Sequence, residues 1–404
     1  MSQMLRGIIS PKFFAGGLFI LLVVLSTSAF AQRLPPVKSG MDAERLAIIP
    51  ARLRSFVDKG AMAGGVALIA RRGEIVMVEA VGYQDLETKK PMRTDTIFDI
   101  RSVTKPITAI GIMILMEEGK LALNDPVEKY LPEFKVAGEN TSDSFGRITI
   151  HHLLTHTAAL PLYRLPESNE IPVKRNRTLT EYVSFLSKQR PEYEPGTKFR
   201  YSSGGFAILG SVIEVVSGKS FDQFMRERIF VPLGMKDSFF FIPAEKRSRV
   251  ASIYRRRNGV LERWEEIETH AKDARYPGPE FGMYSTAADL AALCQMILNR
   301  GTFKGKRILS PMSVEVMTAN HTLNLKSAIT LRPAYQGLGW GLHGDPMNDF
   351  PLTSPGSFGH NGAFGAIVWI DPQKDLIRIF LEHRFGFHNE SNLFMAMAGA
   401  AVND

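Results

Sequence analysis

An almost uninterrupted apolar segment runs from Pro106 to Met116. It is long enough for a helix and apolar on nearly every face, so the pattern predicts a buried helix rather than an amphipathic surface helix. A helix of this kind needs other elements on all of its sides. About 370 residues remain after the N-terminal segment described below, which is enough for one large domain, or two interlocked ones, with a substantial core.

Strand-like runs occur near both ends of the chain. Gly65 to Ala70 and Glu74 to Val81 are separated by a short turn, and Ala363 to Ile370 and Leu376 to Leu381 form a second such pair. The stretches between the two pairs have mainly helical periodicity, interrupted by loops rich in Pro, Gly and Asn. This arrangement predicts an α+β fold, in which an antiparallel sheet is flanked by helices and carries a mainly helical subdomain as an insertion.

Residues 1–31 have the pattern of a secretory signal peptide. Arg6 and Lys12 form a basic region, Phe13 to Leu25 are apolar, and Ala29-Phe30-Ala31 matches a cleavage signal that ends at Ala31. The apolar stretch is short for a membrane-spanning helix, although an uncleaved anchor is the competing interpretation. We therefore expect a periplasmic or secreted protein without stable membrane insertion after cleavage, whose folded domain occupies residues 32–404.

Charge and cysteine content exclude several classes of function. The formal net charge is +8, but the basic residues are scattered, and nothing resembles a nucleic-acid-binding surface. The densest basic run, Arg255 to Arg257, precedes Asn258-Gly259 and is interpreted as a solvated turn. Cys294 is the single cysteine, so no intramolecular disulfide can form. It lies on the apolar face of a predicted helix, which indicates a core position rather than a catalytic thiol.

Ser102 and Lys105 stand immediately before the buried helix, in an S-x-x-K arrangement. Residues three apart share one helical face, so the two side chains are expected to meet. A serine hydroxyl is a weak nucleophile until a neighbouring base removes its proton, and a lysine can act as that base when burial keeps it neutral. The helix N-terminus adds free backbone N–H groups near the site where negative charge would develop.

Two further segments have the composition of an acyl-transfer site. Tyr201, in the sequence Arg200 to Gly205, precedes an apolar helical run and is a candidate proton relay beside Ser102, provided that a nearby ammonium stabilises its phenolate. The alternative is a packed aromatic side chain with a bonded hydroxyl. Gly359 to Ala363 stand at the start of the predicted strand Ala363 to Ile370, where glycines permit close backbone approach and a strand N–H can bind an oxyanion.

With these motifs in place, the chain resembles the serine hydrolases of the β-lactamase superfamily, in particular the class C β-lactamases, D-alanyl-D-alanine peptidases and family VIII esterases. The segments that carry the resemblance cover nearly the whole mature chain; they are Phe98 to Ile107, Ile148 to Thr157, Tyr201 to Gly205, Ser217 to Ser220, Pro232 to Met235, Gly282 to Thr286, Gly337 to Gly341 and Phe358 to Pro372. Together these segments are highly specific for this superfamily.

The resemblance implies a role for each site residue. Ser102 is expected to be the acylated nucleophile, Lys105 its proton acceptor, and Tyr201 the general base or relay of the Y-x-N motif. His360-Asn361-Gly362 takes the position of the K-T-G motif. The backbone N–H groups of Ser102 and Ala363 are expected to form the oxyanion hole.

This chain departs from the family pattern at two positions. Ser203 replaces the Asn of Y-x-N, which contacts the lysine and the amide of the acyl group. His360 replaces the Lys of K-T-G, and a histidine carries a full charge at neutral pH only if its pKa is raised. Both changes favour a carboxylesterase over a β-lactamase.

Several alternatives remain open. Within the enzyme class they are a D-amino-acid peptidase and a weak class C-type β-lactamase, so the substrate is expected to be a small ester, β-lactam or peptide. A non-catalytic protein that binds wall peptides is the alternative from another class. His152 and His156 have the spacing of zinc ligands on a helix, but no Glu follows His152, so neither a metal nor another cofactor is expected.

Overall fold

The computed structural model describes residues 39–135, 147–161, 175–264, 273–344, 350–386 and 388–404. The predicted signal peptide lies outside the described residues. Within them, no helix combines the length and the hydropathy needed to cross a membrane.

Thirteen strands are described, and seven of them form the main sheet. In chain order the strands are β1 Gly64–Arg71, β2 Glu74–Asp85, β3 Lys90–Pro91, β4 Phe98–Asp99, β5 Tyr254–Arg257, β6 Val260–Arg263, β7 Tyr284–Ser285, β8 Thr302–Phe303, β9 Lys306–Arg307, β10 Gly341–Leu342, β11 Phe358–Asn361, β12 Ile367–Asp371 and β13 Leu376–Glu382. The sheet order is β10-β11-β12-β13-β1-β2-β3, and every neighbouring pair is antiparallel. The two terminal hairpins therefore meet where β1 pairs with β13.

Helices cover this sheet and fill the insertion between β4 and β10. In chain order they are α1 Ala43–Asp58, α2 Thr104–Glu117, α3 Ile150–Leu154, α4 Leu179–Ser187, α5 Ser203–Ser217, α6 Phe221–Met225, α7 Val231–Leu233, α8 Ala287–Leu298, α9 Pro311–Thr318 and α10 Asn389–Ala400. A π-helical turn, Arg226–Phe230, connects α6 to α7. The predicted α+β class, with an antiparallel sheet flanked by helices, is confirmed.

Both faces of the sheet are buried along the central strands β12, β13 and β1. Along β1, Val66 and Leu68 point into the core that contains α2 and α8, whereas Ala67 and Ile69 point into the core formed with α1 and α10. A strand covered on both faces needs apolar residues at consecutive positions, which explains why all eight residues of β1 are buried. The prediction of a buried helix is also confirmed, since Thr104 to Leu115 are buried without exception.

Two local predictions are wrong. Ala363 does not begin a strand: β12 starts at Ile367, and residues 362–366 form the turn that joins it to β11. The N–H of Gly362 donates to the carbonyl of Ala366 at 2.7 Å, which closes this turn. The arginine run Arg255 to Arg257 lies on β5 rather than in a turn, because Asn258-Gly259 is the turn itself and joins β5 to β6. Asn-Gly is a strong hairpin signal that identifies this turn from the sequence.

Candidate active site

Ser102 lies in a 3₁₀ turn, Arg101–Val103, between β4 and the N-terminus of α2. Side chains fix this turn: Asp99 accepts a hydrogen bond from the Arg101 N–H at 3.1 Å, and the Thr104 hydroxyl donates to the Arg101 carbonyl at 2.6 Å. The Arg101 and Asp99 side chains also form an ion pair at 3.4 Å. Ser102 is therefore held at the start of a buried helix.

Lys105 is fully buried one turn further on. Its Nζ lies 3.1 Å from Ser102 Oγ and donates to the backbone carbonyl of Glu280 at 2.8 Å. Burial lowers the pKa of Lys105 to about 7, although the nearby Glu280 carboxyl opposes that shift. A large fraction of the lysine is therefore neutral near pH 7, and its lone pair can accept the Ser102 proton.

Tyr201 stands two residues before α5 and faces the same pair. Its ring centroid is 4.8 Å from Lys105 Nζ, and its hydroxyl is hydrogen-bonded to Ser102. Burial raises the pKa of Tyr201 well above its usual range, and the Ser102 hydrogen bond only partly offsets this. The site therefore favours a neutral phenol, which can pass a proton between Ser102 and its neighbours but is a poor general base.

His156 packs against Tyr201, a contact that the sequence did not predict. The two ring centroids are 4.4 Å apart, and His156 Nδ1 accepts a hydrogen bond from the Ser202 N–H at 3.1 Å. Burial and the neighbouring Lys105 lower the pKa of His156, so the ring is neutral. In the sequence, His156 is marked only by its place in the segment Leu153 to Thr157 and by its zinc-like spacing from His152.

His360 and Asn361 end β11 and line the other side of the site. The His360 ring lies 6.1 Å from that of Tyr201, and its Nδ1 is 2.8 Å from the Asn361 carbonyl. Burial, with a smaller contribution from Lys105, lowers the pKa of His360 to about 3. The residue at the K-T-G position is therefore an uncharged imidazole at neutral pH.

The turn after β11 approaches the Ser102 turn closely. A Cβ atom on Gly362 would lie 2.3 Å from the carbonyl oxygen of Ile100, so only glycine fits at this position. Among the described residues, no group accepts a hydrogen bond from the backbone N–H of Ser102 or of Ala363. Both N–H groups therefore keep their donor capacity, and the contact between Gly362 and Ile100 brings the two turns together, as an oxyanion hole requires.

The remaining predicted residue, Ser203, begins α5 and is half-buried. Glu280, by contrast, was not predicted from the sequence, because nothing in the segment Pro277 to Gly282 marks it as a neighbour of Lys105. No cluster of three or more His, Cys, Asp or Glu side chains among the described residues is arranged to hold a metal ion. Cys294 is buried in α8, and burial raises the pKa of its thiol, in agreement with a core role.

Comparison with known proteins adds three findings. A family model described as Beta-lactamase matches residues 49–401. The esterase EstB of Burkholderia gladioli is 32% identical over 300 residues, covering 66% of this chain and 74% of EstB, and a putative D-alanyl-D-alanine carboxypeptidase of Salmonella enteritidis PT4 is 27% identical over 400 residues, covering 90% and 89%. The solved structure of EstCE1, a hydrolase with promiscuous acyltransferase activity, superimposes with a TM-score of 0.76 at 27% identity, covering 89% of this chain and 99% of EstCE1.

Proposed function

The chain belongs to the beta-lactamase family of serine hydrolases, and from this membership we propose that it hydrolyses carboxylic esters through an acyl-enzyme on Ser102. The proposed preference for esters rests mainly on His360, which is neutral at pH 7. A β-lactam or a D-Ala-D-Ala peptide presents a carboxylate, which binds best to a cation at the K-T-G position. An uncharged, buried imidazole supplies no such charge.

The reaction follows from the contacts around Ser102. Lys105 Nζ accepts the proton of the Ser102 hydroxyl as Oγ attacks the ester carbonyl carbon, and the carbonyl oxygen becomes an oxyanion. In this proposal the Ser102 and Ala363 N–H groups donate to that oxygen. Collapse of the tetrahedral intermediate breaks the bond to the leaving alkoxide, which takes the proton back from Lys105 through the Tyr201 hydroxyl. A water molecule then repeats the sequence on the acyl-enzyme and releases the acid.

Ser203 supports the same preference. At its position the family pattern has an Asn whose amide contacts the acyl amide of β-lactams and peptides. A serine is shorter and has no amide group, so an amide-bearing acyl group loses a partner here, whereas a simple ester does not need one. The name of the relative EstB agrees with this reasoning.

The second candidate function is a D-amino-acid peptidase, because one relative is a putative D-alanyl-D-alanine carboxypeptidase. A weak β-lactamase has the same requirement for a carboxylate-binding cation. A non-catalytic binding protein has no physical need for a buried lysine bonded to a serine hydroxyl, which argues against that alternative. We also propose that residues 1–31 direct export and are removed after Ala31, so that the enzyme acts in the periplasm or outside the cell.

Activity-based labelling and a substrate screen test this proposal together. A fluorophosphonate probe should modify one tryptic peptide, the one containing Ser102, and Ser102→Ala should abolish both labelling and turnover. Rates on short p-nitrophenyl esters, a chromogenic cephalosporin and a D-Ala-D-Ala peptide should rank the esters first. Labelling that persists in Ser102→Ala overturns the nucleophile assignment, and a cephalosporin or peptide preference overturns the ester assignment.

A further inference from the structure

Glu280 is a buried carboxylic acid beside the lysine of the active site. It lies in the segment between β6 and β7, and its side chain has no solvent exposure. Both carboxyl oxygens lie within hydrogen-bond distance of the Tyr276 hydroxyl, at 2.7 and 2.8 Å. The Tyr276 proton serves only one of these oxygens at a time, and the Glu280 backbone N–H is a second donor, so hydrogen bonds only partly offset the cost of burying the carboxylate.

Three hydrogen bonds hold the Glu280 segment against the N-terminal end of α2. The Thr108 hydroxyl donates to the Pro279 carbonyl at 2.6 Å, Lys105 Nζ donates to the Glu280 carbonyl, and the Thr104 hydroxyl accepts from the Met283 N–H at 3.2 Å. Gly282 permits the tight turn of this segment, because a Cβ atom there would lie 1.9 Å from the Pro277 carbonyl oxygen. The position of Glu280 relative to Lys105 is therefore fixed by backbone contacts.

Charged and titratable groups surround this carboxyl on each side. Lys105, on α2, donates to the backbone carbonyl of the same residue at 2.8 Å, and Tyr276 donates to the carboxyl itself. Tyr201, before α5, lies on the far side of Lys105, with its ring centroid 4.8 Å from Nζ. Arg175 is the other nearby cation, and its guanidinium donates to the carbonyls of Tyr276, Phe240 and Pro277. Lys105 is thus the cation whose protonation can change in response to Glu280.

We propose that Glu280 is a positioning residue that sets the pH range in which Lys105 is an unprotonated base. The inference rests on the proposed role of Lys105 at Ser102. A negative carboxylate next to a buried lysine stabilises the ammonium form and so opposes the effect of desolvation. Two groups coupled in this way titrate as a pair, and the base becomes available only as the pair loses a proton.

Loss of the negative charge on Glu280 lowers the pKa of Lys105. Burial raises the pKa of Glu280 to about 7 and lowers that of Lys105 to about 7, so both groups change charge in the same pH range. Removing the carboxylate charge leaves Lys105 with desolvation unopposed, which lowers its pKa further. The base is then available at lower pH, and the acid limb of the rate profile moves toward lower pH.

The experiment measures the rate of Ser102 modification by a fluorophosphonate between pH 5 and 9. In Glu280→Gln, which keeps the shape of the side chain, the midpoint of the acid limb should move down by about one pH unit, the lower end of what a close charge does to a pKa. Tyr276→Phe removes the hydroxyl that supports the carboxylate and should move the midpoint in the same direction by less. In the double variant, Tyr276→Phe should add nothing to Glu280→Gln.

Tyr182→Phe is the matched control, because its ring packs edge-to-face on Tyr276 with centroids 5.4 Å apart. It removes a buried hydroxyl from the same cluster and should leave the midpoint unchanged. A Glu280→Gln protein that is labelled at Ser102 with an unmoved midpoint, or that loses rate equally at every pH, overturns the inference. Failure of the wild-type protein to be labelled at Ser102 at any pH would instead overturn the proposed function.

Discussion

Lys105 Nζ lies 3.1 Å from Ser102 Oγ, although the two residues belong to different helical elements, a 3₁₀ turn and the first turn of α2. The contact survives this change of geometry because three residues make one 3₁₀ turn and nearly one α-helical turn. The amine is also fixed from behind by the Glu280 carbonyl, at 2.8 Å. An amine held on one side by an acceptor and on the other by a hydroxyl is oriented for proton transfer.

We predict that Lys105→Arg inactivates the enzyme even though it retains a positive charge. A guanidinium keeps its proton in proteins and cannot accept one from Ser102. Loss of a general base typically costs a factor of about 10² or more in rate, so kcat/KM on a p-nitrophenyl ester should fall by at least this much. Turnover near the wild-type level would show that Lys105 has only a structural role.

We predict that Gly362→Ala moves the turn that carries the Ala363 N–H away from the Ser102 turn and so disrupts the oxyanion site. The new Cβ would meet the Ile100 carbonyl oxygen at 2.3 Å, and this backbone atom can give way only if the turn moves. Losing one oxyanion donor costs about 10² in kcat, so kcat per folded molecule should fall by this order. Gly205→Ala is the control, since its Cβ would contact Leu153 at 3.5 Å inside α5 and should leave kcat unchanged. Equal kcat values for the two variants would contradict the assignment of this turn.

We predict that the protein loses stability as the pH falls below about 6.5, the ordinary pKa of histidine. His383 is buried between the Asp99 N–H and the Ala251 carbonyl, and burial lowers its pKa to about 4. The unfolded chain then binds more protons than the folded one between pH 4 and 6.5, so the free energy of unfolding decreases as pH falls through this window. For His383 alone the loss between pH 8 and pH 5 is about 2 kcal/mol.

Urea unfolding at pH 8 and pH 5 measures this loss in the wild-type protein and in His383→Gln. The variant is expected to be less stable at pH 8, because two hydrogen bonds are disturbed, but to lose about 2 kcal/mol less on going to pH 5. An identical pH dependence in both proteins would contradict the buried, neutral state of His383.

We predict that restoring the family residues at two positions moves the enzyme toward β-lactams. In Ser203→Asn with His360→Lys, the amide regains a contact to the acyl amide and the ammonium a contact to the substrate carboxylate. Each such contact contributes about 1–3 kcal/mol, so the ratio of cephalosporin to ester turnover should rise at least tenfold.

The ratio is the quantity to compare, because an ammonium at position 360 also lies close to Lys105 and lowers both activities together. Ser203→Asn alone serves as the control for packing at α5. A double variant whose ratio equals that of the wild-type protein would remove the physical basis for the ester preference.

The sequence by itself determined the elements whose burial does not depend on which partner covers them. A segment that is apolar on every side, such as Pro106 to Met116, must be buried in any soluble fold, and the S-x-x-K spacing brings Ser102 and Lys105 together through local geometry alone. The two terminal hairpins follow from short strand-like apolar runs separated by turn residues. The structure confirms the fold class and the contact between Ser102 and Lys105 that these features predict.

Only the tertiary structure decided the charge states and the long-range contacts. His360 is neutral because the surrounding core excludes water, and Glu280 meets Lys105 across 175 residues of sequence. The sequence does not predict the strand β11, because its four residues, Phe358–Asn361, have little strand propensity. Pairing with β10 and β12 holds these residues in the sheet. Burial and pairing are properties of the assembled chain, since desolvation depends on every neighbour within several ångströms, and no local pattern specifies those neighbours.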